Sequence, residues 1–406
     1  MNTSETELGD SIDREMGPIP RMQITQAVCG TFWHFDLANQ LEAMGCLKRI
    51  YSTFPWVRLK REGVPRERVR TFPWIYGPWM ASQKYFGLPE GLSKQMQLAN
   101  TRLFDAWLAA NVEDCDALIA VSGSGLKAGR VVQGRGGRYV CDRGSSHIRY
   151  QRAILNEEYG RWGFSKERVD PRTVAREEEE YAQADAITVP SEFARRTFVE
   201  MGIKPERIVK IPFGVRLDRF RKTCEPPTGS LNALFAGTVS IRKGIPYLLE
   251  AFAKFRHPSK RLRLAGPVEA EMNSLFSRFD MTDVEVLGRQ TQDDLAKWMN
   301  ASHVMVLPSV EDGFGLVMAQ AMACGTPIIA SENTGGSDLF QEGVEGFTVP
   351  IREPEAITER FQQLADDPAR CHSMGEAAMA RVRNLGGWDD YGRKWGQYLR
   401  QLTGKS

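Results

Sequence analysis

Short apolar runs alternate with longer amphipathic stretches from Met22 to the end of the chain. In the second half the apolar runs are LNALFAG, RLRLAG, VEVLG, VMVLP and PIIAS. Strands separated by helices form βαβ units, and such units build parallel sheets that bind ligands at the carboxyl ends of their strands. The alternation therefore predicts an α/β fold with two Rossmann-like, doubly wound parallel-sheet domains that face each other across a cleft.

The chain has 406 residues and is too long for one ordinary hydrophobic core, so we predict two domains. A polar segment with two prolines, RKTCEPPTGS, precedes the predicted strand that begins at Leu231 and marks the boundary. We divide the chain into a disordered tail (1–21), an N-terminal domain (22–212), a linker (213–230), a C-terminal domain (231–385) and a final amphipathic helix (386–406).

The composition excludes several classes of protein. A net charge of +2 disfavours nucleic-acid binding, and no stretch approaches the roughly 20 apolar residues of a membrane-spanning helix. The first residues lack the basic start and apolar centre of a signal peptide. The seven cysteines form no CxxC pair and the five histidines are dispersed, which argues against a disulfide framework and a metal site. We expect a cytoplasmic protein that uses no metal.

The stretch SVEDGFGLVMAQAMACGTPII, residues 309–329, combines a strand end, a glycine-rich turn and a helix. Its glycines allow close approach of a ligand to the backbone, and they precede a helix N-terminus that favours an anion. Asp312 lies at the start of the turn, and Gln320 lies on the helix. The pattern suits a diphosphate and its sugar. A tight turn with a core glutamine is the alternative, because glycine-rich turns are common without a ligand.

A second turn of this kind follows the strand LNALFAG. The segment FAGTVSIRKGIPYLLEAF places Arg242 and Lys243 at the start of a helix, where two cations and the helix dipole suit a pair of phosphates. Two solvated surface cations are the alternative. Because both turns follow strands of the same predicted sheet, together they favour a nucleotide diphosphate.

The order of these motifs resembles the donor-binding half of the family-4 retaining glycosyltransferases, the glycosyl transferases group 1. The resemblance covers roughly Glu177 to Trp395 and rests on GTxxxRKGxxxLLxAF, LxLAG, VEVLG, SVEDGFGLxxxQAMAxGTPII, SxxGGxxDL and EGFTV, in that order. It implies the GT-B architecture, in which the C-terminal domain binds a nucleotide-sugar donor and the N-terminal domain binds the acceptor. It also implies that the last helix packs back on the N-terminal domain.

The resemblance assigns roles to residues of both motifs. Arg242 and Lys243 match the basic pair on the donor diphosphate. Asp312 takes the place of a motif glutamate beside the donor sugar, and Gln320 takes the place of a second, which binds the ribose. Backbone amides of the turn would contact phosphate and sugar, namely those of Gly313, Phe314, Gly315 and Leu316. Base selectivity would rest near Gly288 and Arg289.

Two further candidates lie in the first half. Gly30 ends the first predicted strand, where the family brings the backbone close to the donor phosphates. The family also has a histidine near the donor sugar, and YVCDRGSSHI offers His147, which joins Asp312 and Lys243 as a catalytic candidate. Asp142 and Arg143 lie closer to the strand end, however. A histidine in a Ser/Gly loop is also more often a capping or exposed residue than a catalytic one.

The chain departs from the family pattern at three positions. Asp312 and Gln320 replace two glutamates, and Thr238 stands where many members have an arginine, which leaves Arg242 as the substitute. These changes fit a subgroup with altered donor contacts. They also fit the alternative of a GT-B-fold nucleotide-binding protein with weak or no catalysis, acting as a regulatory or partner subunit.

The stretch from Arg49 to Lys84 contains eight Arg or Lys and two Glu, with Trp56, Trp74 and Trp79 between them. Basic and aromatic residues together suit an anionic membrane surface or a polyprenyl-linked acceptor. Core aromatics with solvated charges are the alternative. Nucleic acid uses the same composition, but the rest of the chain does not support it.

The resemblance thus implies a metal-independent hexosyltransferase without a cofactor. Its co-substrate would be a nucleotide-diphosphate sugar, and its acceptor a glycan or polyprenyl-linked molecule in cell-surface polysaccharide biosynthesis. Such an enzyme would work in the cytoplasm, at the inner face of the membrane.

Overall fold

The computed structural model describes residues 22–85, 90–216 and 218–405, and the predicted tail lies outside this part of the chain. The described residues form two parallel sheets covered by helices, which confirms the predicted fold class. The first sheet has the strand order β3-β2-β1-β4-β5-β6-β7. Its strands are β1 (Ile24–Val28), β2 (Leu47–Ser52), β3 (Val69–Thr71), β4 (Ala117–Val121), β5 (Arg138–Asp142), β6 (Ala186–Val189) and β7 (Ile208–Lys210).

Helices connect these strands and cover both faces of the sheet, so its central strands are buried on both sides. This burial explains why β4 reads as the uninterrupted apolar run ALIAV. The helices are α1 (His34–Ala43), α2 (Trp56–Leu59), α3 (Tyr76–Tyr85), α4 (Glu90–Asn111), α5 (Leu126–Gly134), α6 (Ile148–Arg161), α7 (Pro171–Gln183) and α8 (Glu192–Glu200).

The second sheet has the order β10-β9-β8-β11-β12-β13, so the strand β8 lies between β9 and β11. Its strands are β8 (Leu231–Ala236), β9 (Lys260–Ala265), β10 (Val284–Gly288), β11 (Val304–Leu307), β12 (Ile328–Ser331) and β13 (Gly346–Val349). Its helices are α9 (Ile245–Lys254), α10 (Ala270–Leu275), α11 (Gln292–Asn300), α12 (Leu316–Ala323), α13 (Gly336–Leu339), α14 (Pro354–Asp366) and α15 (Pro368–Leu385).

The final helix, α16 (Trp388–Thr403), packs on the first domain rather than on the second. Its buried face includes Tyr391 and Trp395, which join the core around β1 and α1. A Cβ atom at Gly392 would lie 2.4 Å from Gln40 of α1, so the two helices approach closely because this position is a glycine. The helix therefore ties the end of the chain to the domain in which the chain begins.

Helix α6 contributes one of the contacts between the domains. Ile154, Leu155 and Tyr159 belong to the core of the second domain, although α6 follows a strand of the first sheet. The buried carboxylate of Glu158 accepts hydrogen bonds from Tyr247 at 2.7 Å and from Arg352 at 2.6 Å. The two sheets are thereby held with the carboxyl ends of their central strands facing one cleft.

Candidate functional site

The site lies where two loops of the second sheet meet. One loop follows β8 and the other follows β11, and these strands are neighbours in the sheet. The backbone N–H of Val310 donates to the carbonyl of Arg242 over 2.9 Å. Gly244 has a φ of 70°, and a Cβ atom there would lie 1.9 Å from the carbonyl oxygen of Pro308. The loops fit together because residue 244 has no side chain.

Lys243 and Asp312 form an ion pair between these two loops. Both side chains are mostly buried, with 17% and 16% of their surface exposed. The structure thus brings together two of the residues that the sequence singled out. A cation and a carboxylate at the adjoining ends of two parallel strands form the electrostatic centre of the cleft.

The glycine-rich turn leads directly into α12. Gly315 is the N-cap residue with a φ of 76°, and no side chain caps the helix. The side chain of Asp312 accepts a hydrogen bond of 3.4 Å from the backbone N–H of Phe314. The first amides of a helix have no partners within it, and the helix dipole favours negative charge there. The turn from Gly313 to Leu316 is therefore suited to an anionic ligand.

Gln320 lies on the second turn of α12. Its Oε1 atom is buried and has no hydrogen-bond partner within the described part of the chain. A buried amide oxygen without a partner is unfavourable unless a ligand or water supplies a donor. Gln320 thus has an acceptor available to a ligand, although the buried amides of Gln26 and Gln183 also have an unpartnered Oε1 atom.

Glu311 is a residue of the site that the sequence analysis did not single out. It is fully buried, and its carboxylate receives Arg242 Nη2 at 2.8 Å. From the other domain it accepts hydrogen bonds from Ser145 Oγ at 2.6 Å, Ser146 Oγ at 2.7 Å and Gln151 Nε2 at 2.9 Å. Burial by itself raises the pKa of Glu311, but Arg242 and these donors lower the pKa to about 2. Glu311 is therefore a carboxylate that joins the domains.

The cleft is closed at the glycine-rich turn. The Ser191 hydroxyl donates to the carbonyl of Gly313 over 2.5 Å. A Cβ atom at Gly313 would lie 2.2 Å from the carbonyl oxygen of Gly144, so the backbones of the two domains touch at this point. Any side chain at residue 313 would push the domains apart.

Beside this contact lies a cavity of about 450 Å³ between the domains. The first domain contributes the loop after β1, and the second contributes Lys243 and the turn before α12. Aromatic rings from both domains and from the start of α16 surround it, namely Phe32, Trp33, Phe213, Phe314 and Trp388. The cavity therefore joins the anion-suited turn to an aromatic wall.

Gly30 lies at the carboxyl end of β1 with a φ of 114°, a conformation that favours glycine. Its carbonyl accepts a hydrogen bond of 2.6 Å from the Ser52 hydroxyl. A Cβ atom there would lie 3.6 Å from the ring of Phe32 and 3.8 Å from that of Phe54. Gly30 thus supports an aromatic ring of the cavity wall.

Asp142, at the end of β5, holds Trp33 in place. Its carboxylate accepts hydrogen bonds from Trp33 Nε1 at 2.6 Å and from the Thr188 hydroxyl at 2.7 Å. Burial raises the pKa of Asp142 to about 6, although both hydrogen bonds oppose the rise. His34 Nε2 lies 3.4 Å from Asp142, and burial lowers the pKa of His34 to about 3, so this imidazole is neutral at physiological pH. In the sequence, only its position near a predicted strand end indicated that Asp142 could belong to the site.

Gly288 and Arg289 lie at the end of the edge strand β10, two strands away from β8. Gly288 has a φ of 65°, and its carbonyl accepts from the N–H of Gly266 at 2.8 Å. The side chain of Arg289 is exposed. Both residues therefore share the carboxyl edge of the sheet with Lys243 without touching it.

His147 is in a different environment. It is the N-cap of α6, where its Nδ1 atom accepts from the N–H of Arg149 over 3.2 Å. Its ring packs against Tyr181 and Phe198, with centroids 5.0 Å and 4.9 Å away. Burial lowers the pKa of His147 to about 4. The structure does not bring His147 into the wall of the cavity, so we leave it out of the site.

Within residues 22–85, 90–216 and 218–405, no group of three or more His, Cys, Asp or Glu side chains is arranged to bind a metal ion. None of the helices in the same ranges has the length and apolar character needed to cross a membrane.

Residues 218–381 match the family model described as Glycosyl transferases group 1. A D-inositol 3-phosphate glycosyltransferase of Streptomyces bingchenggensis is 32% identical over 211 residues, which cover 46% of this chain and 46% of that protein. The chain thus spans about half the length of the relatives that it matches.

Solved structures are similar over nearly the whole chain. Sucrose-phosphate synthase from Thermosynechococcus elongatus has a TM-score of 0.70 and 22% identity, covering 94% of this chain and 99% of that one. HepE from Anabaena, solved with UDP, has a TM-score of 0.67 and 14% identity, covering 94% and 100%. A complex of HepE with UDP-glucose gives a TM-score of 0.65 and 15% identity, covering 93% and 99%. At these identities the likeness concerns the fold.

Proposed function

We propose that this chain is a retaining glycosyltransferase. The premise is that its C-terminal domain belongs to the glycosyl transferases group 1 family. The donor is a nucleotide-diphosphate sugar, and HepE, solved with UDP and UDP-glucose, supports a uridine nucleotide. The acceptor is a glycan or a lipid-linked glycan. The proposal includes a role in cell-surface polysaccharide biosynthesis.

The observation that carries the proposal is the ion pair of Lys243 with Asp312 beside an uncapped helix start. A diphosphate at this position would receive the lysine ammonium, the Arg242 guanidinium and the amides of the turn. Charged hydrogen bonds of this kind contribute about 1.5–3 kcal/mol each. The Lys243–Asp312 pair would open or shift as the donor enters, and Asp312 would then be free to contact the donor sugar.

In the proposed reaction, the acceptor hydroxyl forms a bond to the anomeric carbon as the bond from that carbon to the diphosphate oxygen breaks. Attack occurs on the face that the leaving group vacates, so the configuration is retained. The acceptor proton passes to the leaving phosphate oxygen. Lys243, Arg242 and the helix start stabilise the negative charge that develops on the diphosphate, which is preorganised electrostatic catalysis.

Gln320 has a binding role in this scheme. Its unpartnered Oε1 atom would accept a hydrogen bond from a ribose hydroxyl of the donor. An amide can serve here as well as a carboxylate, because a hydroxyl donor needs an acceptor and not a charge. The replacement of a glutamate by Gln320 is therefore compatible with donor binding.

The exposed face formed by residues 56–74 supports contact with an anionic membrane, at which a lipid-linked acceptor would be presented. Val57 and Trp74 are each 75% exposed. The same stretch of the sequence contains exposed cations, namely Arg58, Lys60, Arg61, Arg66 and Arg70. Basic side chains near an anionic surface contribute about 1 kcal/mol each.

A nucleotide-binding protein without catalysis is the second candidate. Asp312 and Gln320 stand at two motif positions where the family has glutamates, and Lys243 is already paired with Asp312. These observations favour a nucleotide-binding protein over other non-enzymatic functions. The two candidates differ in turnover and not in donor binding. Gln320→Glu separates them: a large gain in transfer indicates a degenerate site, and a loss indicates that glutamine is the adapted residue.

The experiment that tests the proposal measures sugar transfer by the wild type, by Lys243→Ala and by a control, Lys297→Ala. Lys297 lies on α11 and its side chain is 76% exposed. We expect a loss of about 100-fold or more for Lys243→Ala and little change for the control. Unchanged transfer by a folded Lys243→Ala protein would contradict the proposal.

A further inference from the structure

Phe32 combines two features that stability does not explain. Its backbone has a φ of 45°, in the left-handed region that bulky residues avoid. Its side chain is 57% exposed, although it is a large apolar ring. Strain of this kind persists where the surrounding structure enforces it, and it concentrates at ligand-binding sites. The ring of Phe32 lines the cavity between the domains.

Trp33 continues this surface and is held rigidly. Its ring centroid lies 5.6 Å from that of Phe32 and 4.6 Å from that of Phe213. Its indole N–H donates to Asp142 over 2.6 Å. A Cβ atom at Gly144 would lie 1.9 Å from the ring, so Trp33 lies directly against the backbone of the loop after β5. Phe32 and Trp33 therefore form one aromatic platform, in which Trp33 is the anchored ring and the two ring planes differ by 48°.

Polar groups stand around the platform in positions to bind hydroxyls. Asp36 and Asp312 line the same cavity and supply carboxylate oxygens. Trp388 lines it as well, and its indole Nε1 atom is buried without a hydrogen-bond partner in the described part of the chain. A ligand hydroxyl could donate to either carboxylate.

The charges around the cavity do not suit a phosphorylated acceptor. Among the described residues that line it, Lys243 is the one cation, and it is paired with Asp312. Arg216 pairs with Asp36 over 2.7 Å and is thereby neutralised. Once the donor diphosphate occupies Lys243, the carboxylate of Asp312 is left without its cation, and it would repel a phosphate on the acceptor.

We infer that Phe32 and Trp33 form the acceptor platform, on which an uncharged sugar ring stacks with its C–H face while its hydroxyls bond to Asp36 and Asp312. This inference rests on the proposed function and names its acceptor class, an unphosphorylated glycoside. The C–H face of a pyranose is weakly positive and apolar, which complements the negative face of an aromatic ring.

The test uses the full-length protein, its nucleotide sugar and matched acceptors. Uncharged methyl glycosides and oligosaccharides are compared with the corresponding sugar phosphates, with transfer followed by mass spectrometry. Nucleotide binding is measured on the same samples by calorimetry. Transfer to uncharged glycosides in preference to their phosphates is expected. Preference for the phosphates, or nucleotide binding without transfer to any glycoside, would overturn the inference; absence of nucleotide binding would overturn the proposed function itself.

The substitution Phe32→Gly tests the platform more directly, because glycine relieves the backbone strain at this position and removes the aromatic ring. We expect an unfolding temperature equal to or above that of the wild type, an acceptor KM raised about tenfold or more, and an unchanged donor Kd. A control, Leu103→Ala, truncates a half-exposed residue of α4 outside the cavity and should change neither constant. An acceptor KM within twofold of the wild type for Phe32→Gly would show that the ring has no part in acceptor binding.

Discussion

Ser145 of the first domain and Glu311 of the second are joined by a hydrogen bond of 2.6 Å from Oγ to Oε1. The same carboxylate receives the guanidinium of Arg242 at 2.8 Å. Glu311 therefore binds the other domain and also orients Arg242, which belongs to the proposed diphosphate site. Closure of the cleft and formation of that site are coupled through one carboxylate.

This coupling has a pH dependence that we can predict. The pKa of Glu311 is about 2 in the folded protein, below its ordinary value of 4.5. The unfolded state therefore binds the proton more tightly, so Glu311 stabilises the fold fully above pH 4.5, and this stabilisation is lost as the pH falls towards 2. Glu311→Gln should lower the free energy of unfolding at pH 7 by about 1–3 kcal/mol and flatten its fall below pH 4.5. Urea unfolding at several pH values measures both effects.

The control for this experiment is Glu376→Gln, at an exposed position of α15. It should leave the pH dependence as it is in the wild type. An unchanged slope below pH 4.5 in Glu311→Gln would show that this carboxylate does not carry the acid sensitivity.

The carboxyl of Asp142 should change the stability of the fold with pH in the opposite direction to that of Glu311. Its folded pKa of about 6 lies above the ordinary value of 3.8, so its contribution to stability is complete below pH 3.8 and is lost as the pH rises through 6. Asparagine can still accept the hydrogen bond from Trp33. We predict that Asp142→Asn gains stability relative to the wild type between pH 4 and pH 8, by up to about 3 kcal/mol.

Unfolding temperatures of both proteins at pH 4, 6 and 8 measure this difference. The exposed Asp114, whose side chain is 86% exposed, provides the control substitution Asp114→Asn. If the wild type and Asp142→Asn show parallel pH profiles, the carboxyl of Asp142 titrates normally and the argument from its burial is wrong.

Gln320→Met removes the unpartnered amide oxygen with little change in volume. Because Oε1 has no partner among the residues that the structure describes, we expect no loss of stability. Nucleotide affinity should fall about 3- to 10-fold, the usual value of one neutral hydrogen bond. Calorimetric titration with the nucleotide measures the change, and Gln401→Met on the exposed face of α16 is the matched control. A destabilised protein with full nucleotide affinity would assign Gln320 to the core instead.

Trp74→Ser should weaken binding to vesicles that contain anionic lipid, because it removes the most exposed aromatic ring of a basic surface. Co-sedimentation with phosphatidylglycerol vesicles should show about tenfold weaker binding, and salt should weaken the binding of the wild type. Val344→Ser, on the second domain, controls for loss of an exposed apolar side chain. Equal sedimentation of the wild type and Trp74→Ser would exclude this surface as the contact.

The sequence predicted the fold class because the alternation of apolar runs and amphipathic stretches is a local property. It also singled out Lys243 and Asp312, because each lies in a short motif after a strand of the same sheet. The bond between Trp33 and Asp142 joins residues 109 positions apart, and no local pattern records it. The role of Glu311 likewise depends on how the domains meet.

The sequence left two other features open. His147 followed a strand end and carried the expected side chain, but the local backbone uses it as a helix cap. Helix α6 belongs in sequence to the first domain, yet its apolar residues pack into the core of the second. Amphipathic spacing predicts that a helix has a buried face and does not say which domain buries it.

The central claim is that the C-terminal domain binds a nucleotide diphosphate through Lys243. The most direct measurement is a calorimetric titration of the wild type and Lys243→Ala with UDP, GDP and ADP, without added metal. We expect the wild type to bind UDP, and we expect Lys243→Ala to bind it about tenfold or more weakly with its fold intact. Failure of the folded wild type to bind any of the three nucleotides, or equal affinity of the two proteins, would contradict it.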